Sequence, residues 1–297
     1  MTEQNPQTEF QLMDEDQLSV ELIEAQYALK DSRGQSNAKS LVILVSGIEL
    51  AGKGEAVKQL REWVDPRYLH VKADAAHLFD FKTSFWQPYA RFIPAEGQIM
   101  ILFGNWYSDL LSSATHVSKP FDDSLFDEYV QRFRAFEQDL KNNQVDVVKI
   151  WFDLSWKTLQ KRLNEMDPSE VRWHKMNGLD WRNKKQYDTL QKLRQRFTDD
   201  WIIIDGEDEQ LRDQQFAQHV LQAFKDCPEH PKTVEQSWQQ APIPEALLNP
   251  DNAVLDEGDY KAELKKLSRK VADALRFDDR NVVIVFEGMD AAGKGGA

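Results

Sequence analysis

The chain has 297 residues, 41% of them hydrophobic and 9 of them Trp, enough to bury the core of two domains or of one large domain with an extension. Its formal net charge of −13 excludes a general nucleic-acid binder, whose surface must be basic, and its apolar content excludes a disordered chain despite 29% charged residues. No run reaches the roughly 18 apolar residues of a membrane span, and the N-terminal MTEQNPQTEFQLMDEDQ has no apolar signal core. The single cysteine, Cys227, fits a reducing compartment, so a cytoplasmic protein is expected.

Taken in chain order, residues 1–14 read as a polar tail and ELIEAQYAL (21–29) has the apolar spacing of a helix. LVILVSG (41–47) is a buried strand, and a helix is predicted from about Ala51 to Val64. Extended segments follow at Tyr68–Lys72 and at QIMILFG (98–104). Leu125, Tyr129, Phe133 and Phe136, spaced by three and four, predict a helix over 121–142. VDVVKIWFDL (145–154) is a strand, 156–166 and 181–197 are helices, and WIIIDG (201–206) is a strand. Strands alternating with helices argue for a parallel sheet covered on both faces. Five prolines (Pro228, Pro231, Pro242, Pro244, Pro250) mark 227–254 as a linker.

The strand and glycine-rich segment at 41–55 recurs at 282–296. Placing Gly47 over Gly288 sets an offset of 241 residues (288 − 47), at which Ile43/Ile284, Ala51/Ala292, Gly52/Gly293, Lys53/Lys294 and Gly54/Gly295 coincide. The helical ELKKLSRKV (263–271) stands upstream of the second copy much as 21–29 stands upstream of the first. The expected organisation is therefore a first repeat over 15–226, the linker 227–254 and the beginning of a second repeat over 255–297. The second copy breaks off just past its glycine loop, so a chain of about two repeats is expected.

Gly47-Ile-Glu-Leu-Ala-Gly52-Lys53 fits G-x-x-x-x-G-K between an apolar strand and a helix. In such a loop, backbone N–H groups close around phosphate oxygens, the helix N-terminus adds partial positive charge and the lysine adds a full one. Gly47, Gly52, Lys53 and Gly54 are the phosphate-binding candidates in the first copy, and Gly288, Gly293, Lys294 and Gly295 in the second. Glycine follows the lysine in both copies, so neither offers the hydroxyl that usually holds a divalent ion. Asp290 can supply a hard carboxylate in the second loop; the matching Glu49, one methylene longer, is the weaker metal candidate.

The string GMDAAGKGG resembles the signature loop of the polyphosphate kinase 2 family, G-x-D-A-A-G-K-G. PYARFIPAEGQIMILFGNWYSDLL (88–111), FEQDLKNNQVDVVKIWFDLSWKTLQKRL (136–163) and DPSEVRWHKMNGLDW (167–181) resemble further ordered segments of that family. The resemblance covers about 15–225 and 255–297. It implies a P-loop kinase fold with a helical lid, Mg²⁺ as cofactor, and inorganic polyphosphate and a nucleoside monophosphate, AMP, as substrates. No nucleic-acid or membrane partner is expected, and a homo-oligomer is. In two-repeat members the second repeat looks like the catalytic one, which makes Asp290 and Lys294 the catalytic candidates.

Where the family has F-D-R-S-W-Y at a strand end, this chain has Phe103-Gly104-Asn105-Trp106-Tyr107, one residue shorter and without the Asp and the Arg. Losing a carboxylate for the metal and a guanidinium for developing phosphate charge predicts a catalytically degenerate first repeat.

From Lys157 to Arg196 there are 11 Lys and Arg against five Asp and Glu, a local balance of +6. This reads either as a cover over phosphates or as a solvated helix face with ion pairs such as Asp188 with Lys192. Arg172 and Lys175 match the family's lid position and are further phosphate-binding candidates; His174 reads as a bystander. Trp86, Trp106, Trp151, Trp156 and Trp201 read as packing residues. Two other functions stay open: an ATP-dependent small-molecule kinase on the same fold, and a non-catalytic polyphosphate-binding or assembly module.

Overall fold

In the computed structural model, which describes residues 12–35, 38–74, 84–115, 121–166, 180–225 and 256–277, the apolar run at 41–47 is the middle of a five-stranded parallel sheet. Strand β1 (Ser40–Gly47) pairs with β3 (Ile99–Leu102) on one side and β4 (Val145–Asp153) on the other; β2 (Leu69–Lys72) and β5 (Ile202–Asp205) are the edges, giving the order β2-β3-β1-β4-β5. Register runs Leu41↔Ile99 to Leu44↔Leu102 and Ser40↔Val145 to Gly47↔Phe152. A central parallel strand is covered on both faces, which is why β1 is apolar without alternation and Leu41 to Val45 are buried throughout.

One helix group contains α1 (Glu15–Asp31), α2 (Lys53–Trp63) and α7 (Glu209–Lys225), which pack on one another. The other contains α3 (Trp106–Thr115), α4 (Asp123–Asn142) and α6 (Lys184–Arg194), with α3 packing on the other two and α4 lying on β4. Between β4 and α6 runs α5 (Trp156–Glu165). Several starts are written into the sequence as capping residues: Asp14, Asp122, Ser155 and Asn183 each accept from backbone N–H groups of the first turn of α1, α4, α5 and α6.

The expected helices and strands at 51–64, 68–72, 121–142, 145–154 and 201–206 are all present with slightly different ends. The strand expected over 98–104 stops at Leu102, and the helix expected over 181–197 starts at Lys184 behind its cap. Two helices, α3 and α7, were not singled out by periodicity. Trp106, Trp151 and Trp201 are buried, but Trp86 is 44% exposed, because its neighbours take the inward positions. Phe85 lies 4.8 Å from the Phe133 ring and Tyr89 lies 5.5 Å from that of Trp106. Asp188 pairs with Lys184, one turn earlier than the Lys192 expected.

Buried Gln26 of α1 shows how polar groups are satisfied at the joint between α2 and β2. Its amide donates to the Asp65 carbonyl at 2.9 Å and accepts from the Asp65 N–H at 2.7 Å. The Arg67 guanidinium and the Tyr27 hydroxyl both donate to the Asp65 carboxylate, and the arginine, chiefly, lowers its pKa to about 2 against the opposing effect of burial. A carboxylate with a depressed folded-state pKa contributes stability that is present above about pH 4 and is lost as pH falls through about 2. Asp65→Asn is therefore expected to lower stability at pH 7 by about 1–2 kcal/mol, with the difference from the parent vanishing towards pH 2, as read by urea denaturation at a series of pH values. A pH-independent difference would remove the ion pair from the account.

The chain divides into two units, Met1–Thr233 and Val234–Ala297. In the second, the described element is α8 (Glu257–Phe277), which leaves Tyr260, Leu264, Leu267, Val271 and Leu275 about half exposed along one stripe. The first four stand 242 residues (260 − 18) after Leu18, Leu22, Ala25 and Leu29, the buried stripe of α1.

Candidate functional site

The carboxyl end of the central strand of a parallel sheet is where such folds open a crevice, and here β1 runs straight into the glycine loop. Gly47 has φ 145°, and a Cβ on it would overlap the Phe152 carbonyl oxygen and stand 2.7 Å from the Phe152 nitrogen. Only glycine lets β1 and β4 approach this closely as the chain turns, and the turn is fixed by Ile48 N–H donating to the Phe152 carbonyl at 2.9 Å. Leu50 and Gly52 are left-handed, with φ 59° and 85°, and Lys53 begins α2. Alternating backbone handedness of this kind makes a concavity of N–H groups at a helix N-terminus.

Lys53 folds back over the loop, its ammonium donating to the carbonyls of Ile48 at 2.6 Å and Gly47 at 3.3 Å. Although the residue as a whole keeps some exposure, its ammonium is enclosed. Burial therefore lowers its proton affinity, while Glu49 and Glu55 act in the opposite direction. Glu49 sits half-buried in the loop, and at Gly54, the second residue of α2, an added Cβ would meet nothing within 4 Å.

Two arginines that spacing did not single out stand behind the loop. Arg212 of α7 is 2% exposed, and its guanidinium fills the place a Gly52 side chain would need while bonding Asp213 at 2.8 Å. Arg162 of α5 donates to the Leu50 carbonyl at 2.7 Å and to the Gly206 carbonyl at 2.9 Å. These contacts join residues 112 and 44 positions apart, so no local pattern could have revealed them.

At the neighbouring strand end, Asn105 is fully buried. Its amide nitrogen donates to Ser46 Oγ at 3.0 Å and its oxygen accepts from the N–H groups of Tyr107 and Ser108, both at 3.2 Å. The residue that stands near the family's acid–arginine pair is thus a neutral cap for α3, with both ends of its amide committed. No group of three or more His, Cys, Asp or Glu that could hold a metal occurs among the described residues. In the first loop neither the glycine after Lys53 nor the neutral amide at the strand end offers a divalent ion a hard ligand, which leaves Glu49 as the carboxylate the loop itself carries.

Of the basic stretch, the described arginines are tied into the fold, whereas Lys157, Lys161, Lys184, Lys185 and Lys192 are exposed. Arg182 bonds Asn164 and the Leu163 carbonyl, Arg194 pairs with Asp153, and Arg196 pairs with Asp123 and Asp127. Arg172, His174 and Lys175 lie outside the described residues, as do Cys227, Gly288, Asp290, Gly293, Lys294 and Gly295. The segments expected to form the helical lid and the second glycine loop fall there too. Among the described residues, no helix is long and apolar enough to cross a membrane.

Residues 7–232 match the model of the family described as Polyphosphate kinase 2. The chain is 72% identical over 286 residues to a protein of Acinetobacter johnsonii named polyphosphate:AMP phosphotransferase, covering 96% of this chain and 60% of that one. A protein of the same name from Pseudomonas aeruginosa is 31% identical over 303 residues, covering 95% of this chain and 59% of the relative. The chain thus spans about 60% of the length of these curated relatives. The crystal structure of polyphosphate kinase 2 from Arthrobacter aurescens TC1 shares the fold, with a TM-score of 0.57 at 19% identity, covering 75% of this chain and 81% of that one. With most of its length matched by the family model, and with the glycine loop and parallel sheet in place, the chain belongs to the polyphosphate kinase 2 family.

Proposed function

We propose that the chain is part of an enzyme that transfers a phosphoryl group from inorganic polyphosphate to AMP, with the chemistry in the second repeat and the first repeat as its support. A phosphate oxygen of AMP attacks the terminal phosphorus of polyphosphate, the bond to the next bridging oxygen breaks, and ADP and a polyphosphate one unit shorter result. The observation that carries the division of labour is Asn105. A residue buried as a helix cap can neither hold a metal nor neutralise charge on a transferring phosphoryl group. The likeness of name among the relatives supports the substrates, and the repeated stripe of α1 and α8 supports 255 as the start of a second repeat.

In this reading Lys53 with the backbone of Gly47, Gly52 and Gly54 still holds a stretch of polyphosphate. Lys294, with Gly288, Gly293 and Gly295, cradles the reacting phosphates, and Arg172 and Lys175 cover phosphate from above. Mg²⁺ belongs to the second loop, where Asp290 supplies a carboxylate; Glu49 of the first loop is the weaker candidate. The enzyme is placed in the cytoplasm as a homo-oligomer.

The test is ADP formation from long-chain polyphosphate and AMP. In the enzyme it is expected to survive Lys53→Ala and to be lost with Lys294→Ala. Loss with Lys53→Ala would overturn the division of labour, and turnover with ATP but not with polyphosphate would overturn the donor.

A further inference from the structure

Lys53 and β4 hold the start of the first glycine loop, and its Leu50 end is held from α5. Arg162, half-buried in the last turn of α5, spreads one guanidinium over three carbonyls: Leu50 at 2.7 Å through one terminal nitrogen, Gly206 at 2.9 Å and Glu207 at 3.2 Å through the other. The first belongs to the glycine loop, and the other two belong to the turn between β5 and α7. The two segments touch backbone to backbone, since a Cβ on Gly206 would lie 2.7 Å from the Ala51 carbonyl oxygen and 2.8 Å from that of Asp153.

Leu50 is the strained point of the loop, a non-glycine residue at φ 59°. In a trans peptide the C=O and the following N–H point in opposite directions. Drawing the Leu50 carbonyl outward to Arg162 therefore aims the Ala51 N–H into the loop. There it makes only a long bond, 3.4 Å, to the Ile48 carbonyl, one that a better acceptor can replace. Glu207 is held from its other side, its carboxylate accepting from the Ser155 N–H and the Thr158 hydroxyl, so the turn gives Arg162 a fixed anchor.

We propose that Arg162 is a positioning residue for the first glycine loop, holding the Leu50–Ala51 peptide so that the loop N–H groups converge on a phosphate oxygen of polyphosphate. This rests on the reading that the loop binds polyphosphate. The role needs a planar fork with several donors, which lysine does not have.

The experiment measures binding of inorganic tripolyphosphate calorimetrically, well below the melting temperature, in a Lys294→Ala background that silences the second loop. Arg162→Ala is expected to weaken binding about tenfold, the loss of a set of charge-assisted hydrogen bonds. Arg162→Lys, which keeps the stem and the charge, is expected to be equally weak. Millimolar guanidinium chloride is expected to restore part of the affinity to Arg162→Ala, with equal sodium chloride as control, and none to Lys53→Ala. If both Arg162 variants bind like their parent while Lys53→Ala does not, Arg162 is a structural staple and the proposal falls, with the reading of the loop left standing. Full binding by Arg162→Lys also overturns it, by showing that charge suffices. If Lys53→Ala leaves binding unchanged, the loop reading fails and the proposal with it.

Discussion

Gly47→Ala is expected to destabilise the first unit by about 3 kcal/mol or more, while Gly54→Ala, seven residues on in the same loop and helix, is expected to be neutral or to stabilise by up to about 1 kcal/mol. The contrast comes from geometry. At Gly47 the added methyl meets the backbone of Phe152, which belongs to a central strand and cannot rotate away, and the residue sits at φ 145°. At Gly54 nothing lies within 4 Å of the added carbon, and alanine is the better helix former in α2. Gly52→Ala falls between them in kind. Its φ of 85° penalises any side chain, and the obstacle, the Arg212 guanidinium, is the end of a side chain but one buried to 2% exposure. Guanidinium chloride denaturation of the three variants orders them. A Gly47→Ala protein as stable as the parent would show that β1 and β4 part at Phe152, which would also undo the account of how the loop is launched.

The parts of this fold that the sequence announces are those whose physics is local. The apolar run at 41–47, the glycines at 47 and 52 and the lysine that follows lie within a dozen residues, and each has a conformation or charge that its residue type implies. The helix at 121–142 was legible because Leu125, Tyr129, Phe133 and Phe136 recur at spacings of three and four, although the buried face also takes in Phe126, Val130 and Leu140. What was not legible depends on distant partners. The loss of the acid–arginine pair at 103–107 could be read directly, but not what Asn105 does instead, because its partner Ser46 is 59 residues away on β1. Arg162 appeared only as one of 11 cations in a basic stretch, of which the described arginines, but not the exposed lysines, turn out to be bonded into the fold, whereas Arg212 had no signal. Trp86 likewise read as a residue for core or interface packing, and only the packing of Phe85 and Tyr89 shows why the residue between them is not in the core.

Glu137→Ala is expected to be strongly destabilising, by about 3–5 kcal/mol. Glu137 is 8% exposed on α4. Its carboxylate takes the Trp106 indole N–H at 3.0 Å on one oxygen and the Lys149 ammonium at 2.7 Å on the other. Lys149 is itself 7% exposed on β4 and has Asp200 as a second partner. Removing the carboxylate strands a buried cation with half its compensation and leaves the indole donor unmet, and truncation adds a cavity. Glu137→Gln keeps the volume and an acceptor for Trp106, so it should cost less, about 1–3 kcal/mol. Glu137→Leu combined with Lys149→Met removes both charges together and should cost less than the sum of the single changes, because neither partner is then left alone. The network also bears on the site. Trp106 is the first residue of α3, directly after Asn105, so Glu137 fixes the helix whose cap occupies the place of the family's acid–arginine pair. A double-mutant cycle in which the two losses simply add would show that Glu137 and Lys149 act separately, and the anchoring of α3 would then rest on Trp106 packing alone.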